Sequence, residues 1–282
     1  MGIDRRKFVK VAGLAALGFA ARPPIRAFGQ EITGESLEIR ESKAGELLSG
    51  AVEEIKRAPH PPKNANRWAM VIDLRKCREH QDCTACIDAC HKIHNVPSYP
   101  KPKDEIKWIW KEHFNHAFPD ADHDFIEEEV KHSNALLLCN HCDNPPCVRV
   151  CPTQATWKRE EDGLVMMDWH RCIGCRYCIA ACPYGSRSFN YREPKKFLEE
   201  QGIKPQPDFP TRTRGVVEKC TFCEERLARN LWPACVEACP YNALTFGDLD
   251  NADDPVRILL HDNFTIRRKP GLGTQPEVYY IV

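Results

Sequence analysis

Within "CIGCRYCIAACPYG", Cys172, Cys175, Cys178 and Cys182 stand at C-x2-C-x2-C-x3-C, and Pro183 follows the last of them. Thiols packed this tightly do not make a structural disulfide framework, because a bridge across two intervening residues is strained and reactive. Thiolates are also metal ligands, and metal is the chemistry this spacing suits. Zinc sites use paired C-x2-C units with four cysteine ligands. They have no use for a further cysteine three residues on, nor for a trailing proline. A c-type haem needs C-x-x-C-H, which the chain lacks; Cys90-His91 comes nearest, three residues after Cys86.

The spacing is the one found in bacterial ferredoxins, where three thiolates hold one [4Fe-4S] cluster and the fourth, ahead of proline, reaches a second cluster. One such run predicts others, and the chain has three more. Cys139, Cys142, Cys147 and Cys151 stand at C-x2-C-x4-C-x3-C, and Cys220, Cys223, Cys235 and Cys239 at C-x2-C-x11-C-x3-C, ending in Pro152 and Pro240 respectively. The earliest group, Cys77, Cys83, Cys86 and Cys90, is looser at C-x5-C-x2-C-x3-C and is followed by His91. All sixteen cysteines are thereby used. By analogy with multi-cluster ferredoxins, the second and third groups exchange their last cysteines: Cys182 joins Cys139, Cys142 and Cys147, and Cys151 joins Cys172, Cys175 and Cys178. The first and fourth groups then pair, with Cys239 joining Cys77, Cys83 and Cys86, and Cys90 joining Cys220, Cys223 and Cys235. In the enlarged first loop His80 falls at C-x2-H-x2-C, so Cys77 is the expected ligand and His80 the alternative. Histidine ligation is known to raise a cluster's potential in Rieske centres. Arg171, Arg176 and Lys219 flank cysteines, either tuning potentials or serving as ordinary surface charges.

The elements that must position these groups suggest an α+β fold of two ferredoxin-like modules with long insertions and loop-rich extensions. "RWAMVIDLRKC" alternates like a strand leading into the first group, and "GLVMMDWHRC" repeats that role before the third. The first module takes residues 67–96 and 212–250 and the second 134–190, with insertions at 97–133 and 191–211 and a C-terminal extension over 251–282. Trp108, Trp110 and several histidines make the first insertion either a partner-facing surface or a cap over a cluster.

Residues 30–66 read as an extension or linker, with a short amphipathic helix around 44–57 before the Pro-rich "APHPPKNAN". Residues 1–29 carry Arg5-Arg6, an eleven-residue apolar run from Val11 to Ala21 that is too short to span a bilayer, and Ala27-Phe28-Gly29 as a cleavage site. This resembles a Tat signal. Export of a folded, cluster-loaded chain would protect its thiols in an oxidising compartment, so an extracytoplasmic, periplasmic-side location follows. The formal charge is zero and no Lys/Arg-rich block stands out, which excludes a nucleic-acid partner. Four loaded clusters bring the whole chain to about −8, and loss of residues 1–29 to about −13. Such a carrier is expected to dock on basic surfaces.

Four groups in this order, with x4 in the second and x11 in the fourth, resemble the four-cluster electron-transfer subunits of membrane-bound polysulfide, dimethyl sulfoxide and formate oxidoreductases. The resemblance covers Arg67 to about Gly247 and implies a wire of four [4Fe-4S] clusters with no catalytic residues and no small-molecule substrate of its own. "MMDWHRCIGCRYCIAACPYGSRSFN", "FPTRTRGVVEKCTFCEERLA" and "RRKPGLGTQPEVYYIV", with the Tat-like start, are similar to the extracytoplasmic DsrO subunits of Dsr membrane complexes in sulfur metabolism. That likeness implies an NrfD-like integral membrane partner, a multihaem cytochrome c and other Dsr-type subunits. An electron-transfer subunit of a molybdopterin oxidoreductase is a second expectation. A zinc- or disulfide-stabilised extracellular structural protein is a third, and it would require a colourless preparation.

Overall fold

The computed structural model describes residues 60–282, apart from 63 and 122. The signal-like stretch, the amphipathic segment around 44–57 and most of the N-terminal extension lie outside the described residues. Ten strands are present among those described: β1 (Trp68–Asp73), β2 (Ile109–His113), β3 (Asn134–Leu138), β4 (Thr156–Lys158), β5 (Val165–Met167), β6 (Ser188–Phe189), β7 (Val217–Glu218), β8 (Leu244–Asp248), β9 (Thr265–Ile266) and β10 (Val278–Ile281). They form one four-stranded sheet in the order β8-β1-β10-β9 and three two-stranded ribbons, β2-β3, β4-β5 and β6-β7. Short helices fill the turns between them, giving a mixture of helix and strand consistent with α+β.

The alternation in "WAMVID" has a direct outcome. Trp68, Met70 and Ile72 enter the main core, while Ala69 and Val71 meet Leu249, Val256 and Ile281 on the opposite face, under the helix Pro255–Asp262. A strand covered on both sides must be apolar on both, and all six residues of β1 are buried. The covering helix starts where Asp254 accepts a hydrogen bond from the Val256 amide at 2.9 Å, with Pro255 in its first turn. Asp254 lies so close to β8 that a Cβ on Gly247 would sit 2.0 Å from its Oδ1. The carboxylate also accepts from the Asp248 amide at 3.0 Å, tying helix and sheet together.

The chain end closes this sheet. β10 lies parallel to β1, Met70 opposite Val278 through Asp73 opposite Ile281, and β8 flanks β1 antiparallel on its other side. Residues near the C-terminus thus form an inner strand of the layer that carries the first cysteine group.

The two insertions are fastened to the modules by a buried ion pair. Arg212 and Glu218 have fully buried side chains and meet at 2.5 Å. Glu218 also accepts from Trp108 Nε1 at 2.7 Å and from Asn190 Nδ2 at 2.5 Å. Arg212 donates to the carbonyls of His94, Pro210 and Asn95 and lies over the rings of Trp108, Phe209 and Trp169. This network decides the fate of the first insertion's tryptophans. Trp108 is 0% and Trp110 8% exposed, so both serve the interior rather than a partner-facing surface, because Glu218 gives the Trp108 indole N–H an acceptor inside.

Breaking this pair from one side leaves an uncompensated buried charge. Glu218→Ala is therefore expected to destabilise the fold by about 3–5 kcal/mol. Guanidinium unfolding of anaerobic protein, followed by tryptophan fluorescence, checks this; an unchanged midpoint would contradict it.

Candidate metal centres

The cysteine groups share one local design. In each, the last two cysteines lie four residues apart on or just past a short helix: Cys86 and Cys90 within Ala85–Ile93, Cys147 and Cys151 around Pro146–Arg149, Cys178 and Cys182 around Tyr177–Ala181, and Cys235 and Cys239 around Ala234–Glu237. Positions i and i+4 are neighbours one turn apart, so each helix can present one thiol to each of two adjacent sites. Proline ends three of these helices because it cannot continue the backbone hydrogen-bond ladder. The preceding loops wrap with left-handed residues: His141, Gly174, Arg176, Phe222 and Cys223 all have positive φ. Gly174 has a further reason to be glycine, since a Cβ there would stand 2.2 Å from the Gly215 carbonyl oxygen.

Three cavities collect the thiols in sets. Cys77, Cys83, Cys86 and Cys239 line the first, Cys139, Cys142, Cys147 and Cys182 the second, and Cys151, Cys172, Cys175 and Cys178 the third. In the fourth set Cys90 is surrounded by Cys223, Cys220 and Cys235, and all four are buried. The exchanged cysteines expected from the sequence therefore stand beside the groups to which they were assigned. Neighbouring sets are joined in turn. The helices carrying Cys86–Cys90 and Cys235–Cys239 pack on each other and link the first set to the fourth. His141, between Cys139 and Cys142, donates from Nε2 to the Cys220 carbonyl at 3.1 Å and links the fourth set to the second. The helices carrying Cys147–Cys151 and Cys178–Cys182 link the second to the third. The order is first, fourth, second, third.

At the first cavity the enlarged loop brings in both Cys77 and His80. His80 is half-buried, its ring stacked on Tyr241 with centroids 3.6 Å apart. Cys77 is electrostatically coupled to Cys239 and Cys86.

Burial pushes the Cys77 thiol up to about 12, with Cys239 and Cys86 adding repulsion, and it does the same to Cys86 beside Cys239 and to Cys220 beside Cys139. Cys90 and Cys223 are driven well above the usual thiol range, again by burial and then by neighbouring cysteines. Cys151 goes the other way: burial raises it, but backbone N–H groups of Thr156, Thr153 and Ala155 and the Thr153 hydroxyl bring it down. Four thiolates cannot share such a pocket unless positive charge lies among them. Backbone amides aim at several sulfurs, including Val217 N to Cys172 Sγ at 3.5 Å, Phe222 N to Cys220 Sγ at 3.4 Å, Ala234 N to Cys223 Sγ at 3.4 Å and Ala243 N to Cys239 Sγ at 3.3 Å. The Asn140 side chain and the Thr221 hydroxyl, each one residue after a cysteine, are buried with no partner among the described residues. All-sulfur donor sets, amides directed at sulfur and orphaned donors at the cavity walls fit iron-sulfur clusters.

Sequence reasoning missed Arg187, His141 and His94. Arg187 is buried and donates to Cys147 Sγ at 3.1 Å. His141, held neutral by burial and by the nearby Lys219 charge, donates from Nε2 to the Cys220 carbonyl at 3.1 Å and accepts from the Val165 amide at Nδ1. Lys219, expected as either a tuning or a surface charge, is fully buried and donates to the carbonyls of Val165 and Cys220. His94 contacts Cys90, and its Nε2 meets Glu225 at 2.9 Å, next to Cys223. Of these, only Lys219 had a signal in the sequence, by standing next to a cysteine. Arg171 is exposed and pairs with Asp168, while Arg176 lies over Phe189.

Fold and sites together define a ferredoxin-like carrier of several iron-sulfur clusters. Residues 133–197 and 171–243 each match a family described as 4Fe-4S dicluster domain. The chain is 35% identical to the Hdr-like menaquinol oxidoreductase iron-sulfur subunit 1 of Archaeoglobus fulgidus, over 99% of this chain and 97% of that protein. It is 37% identical to the menaquinone reductase iron-sulfur cluster-binding subunit of Nitratidesulfovibrio vulgaris, over 76% of this chain and 88% of the relative. It is 36% identical to the arsenate respiratory reductase iron-sulfur subunit ArrB of a Shewanella species, over 76% of this chain and 96% of that protein. The chain belongs to this family of iron-sulfur electron-transfer subunits of oxidoreductase complexes. It carries four [4Fe-4S] clusters and is not the catalytic subunit.

Stripping iron and sulfide should expose the thiol crowding. An unfolded thiol ionises near 9.0, whereas Cys77, Cys86 and Cys220 resist ionisation up to about 12 when folded. Stability contributed by these neutral thiols is complete below pH 9.0 and is lost as pH rises towards 12. Anaerobic urea unfolding of the cluster-free chain should show a midpoint that falls across that window; a level midpoint would contradict it.

Proposed function

We propose that this chain is the extracytoplasmic electron-transfer subunit of a membrane complex in sulfur metabolism, relaying electrons between an NrfD-like, quinone-interacting membrane subunit and a cytochrome c or other redox partner. The reading takes its ligands set by set: Cys77, Cys83, Cys86 and Cys239; Cys139, Cys142, Cys147 and Cys182; Cys172, Cys175, Cys178 and Cys151; Cys220, Cys223, Cys235 and Cys90. When bound, the clusters supply one-electron chemistry, and the chain's own residues hold, order and insulate them.

The observation that carries it is the line of thiol sets running from one accessible end to another. Cys77, Cys83 and Cys239 of the first set are half-buried, and Cys175 of the third is exposed, whereas between them all four cysteines of the fourth set and all but Cys182 of the second are buried. A wire needs contact with partners at its ends and insulation within. At the third set, Ile173 and Tyr177 are 67% and 62% exposed beside Cys175, a patch suited to a partner's apolar surface. Export through the twin-arginine stretch and closeness to DsrO rest on the sequence motifs quoted above. Among the described residues no helix is long and apolar enough to cross a membrane.

A second reading, as electron-transfer subunit of a molybdopterin oxidoreductase, draws support from the similarity to the arsenate respiratory reductase protein, which extends over 96% of that relative's length. Co-purification with a large molybdenum-containing subunit would decide for it.

Protein expressed with residues 1–29 should contain about sixteen iron and sixteen sulfide per chain and show coupled EPR signals when reduced. Cys77→Ser should lower iron to about twelve, while His80→Ala should keep about sixteen. The reverse pattern would give the first site to His80, and zinc without sulfide would overturn the reading.

A further inference from the structure

The interior holds buried cations of two kinds. Arg212 is neutralised by Glu218, and both side chains are fully buried. Arg187, 4% exposed, has no carboxylate partner among the described residues. Its Nη2 instead donates to Cys147 Sγ at 3.1 Å and to the Thr156 hydroxyl at 2.8 Å, and its Nη1 approaches Met167 Sδ at 3.7 Å. A buried guanidinium is costly unless an anion faces it. The charges that act on Arg187 are those of Cys147, Cys178 and Cys139, in that order.

The neighbouring centre has the opposite surroundings. Beside Cys223 and Cys220 stands the Glu225 carboxylate, which raises both thiols and is held by His94 at 2.9 Å. Lys219 acts on Cys139, Cys220 and Cys147, thiols of both centres, and so is not confined to either. Arg187 therefore differentiates them: it lines the Cys139, Cys142, Cys147 and Cys182 cavity, and Cys220 is not among the thiols that act on it.

Resting on the cluster reading above, we propose that Arg187 raises the reduction potential of the Cys139–Cys142–Cys147–Cys182 centre, whose Cys147 it hydrogen-bonds, above that of the adjacent Cys90–Cys220–Cys223–Cys235 centre, with a smaller rise at the third centre through Cys178. Reduction brings one electron from a neighbouring centre, with no bond made or broken and no proton required. The formal charge of the centre with its thiolates goes from about −2 to about −3. A fixed cation hydrogen-bonded to a ligand sulfur stabilises the more negative state more, and charge and hydrogen bonds to sulfur are established levers on cluster potential. Because the site is buried, water screens this effect little.

The test is an EPR-monitored redox titration of the full-length, cluster-loaded chain, with iron and sulfide counted in every sample. The centre's signal is assigned as the one altered in Cys142→Ser. In the unsubstituted chain it should titrate above its Cys90-containing neighbour, itself assigned through Cys235→Ser. Arg187→Gln should shift its reduction equilibrium at least about tenfold towards the oxidised form, equivalent to about 59 mV for a one-electron couple, with the first and fourth centres held. Arg187→Lys, which keeps the charge but not the fork, should fall between, and it carries the test if the glutamine variant fails to load. Lys219→Gln should lower both inner centres together. Unchanged potentials in an iron-replete Arg187 variant, or equal shifts in all four centres, would overturn the proposal. Absence of about sixteen iron in the unsubstituted chain would overturn the cluster reading instead.

Discussion

Each set of four thiols is completed from a different part of the chain, and much else in the structure follows from that exchange. Three cysteines of a set lie close in sequence, but the fourth arrives from another group: Cys239 reaches the first set, Cys90 the fourth, Cys182 the second and Cys151 the third. None of the three thiol-lined cavities is lined by the four cysteines of a single group. The short helices that carry two thiols four residues apart act as the hinges between adjacent sites, so the same contacts that build the sites also fix their order.

Such crowding is unfavourable in itself. Burial and mutual repulsion raise most of these thiols. Metal-cluster binding and folding are therefore coupled, as in other metal sites whose ligands must be deprotonated and brought together.

The interior treats its charges unequally. Arg212 and Glu218 form a neutral pair that fastens the two insertions, and Trp108 is drawn inward to complete it. Arg187 and Lys219 face sulfur and backbone carbonyls instead. One kind of buried cation thus holds the fold, and the other stands where its charge acts on the thiol sites. Family membership establishes what the chain carries, while this distribution of charge belongs to its particular fold.

The cysteine spacings pointed to the metal chemistry and the number of sites, because ligand geometry is local and the i, i+4 relation is written into C-x3-C; which groups share a cavity came by analogy with multi-cluster ferredoxins. Alternation in "WAMVID" also announced β1 correctly. What spacing could not determine was environment. Nothing in the sequence around Arg187 separates it from a surface arginine; it is buried against Cys147 because the loop after Cys182 lines the second set's cavity. Trp108 looked equally suited to a partner's surface until Glu218, 110 residues away, supplied an inward acceptor. The last strand, "VYYI", became an inner strand of the sheet through pairing with β1, far earlier in the chain. Burial, charge pairing and strand neighbours are properties of the packed chain, and they arise from contacts between residues that local patterns never compare.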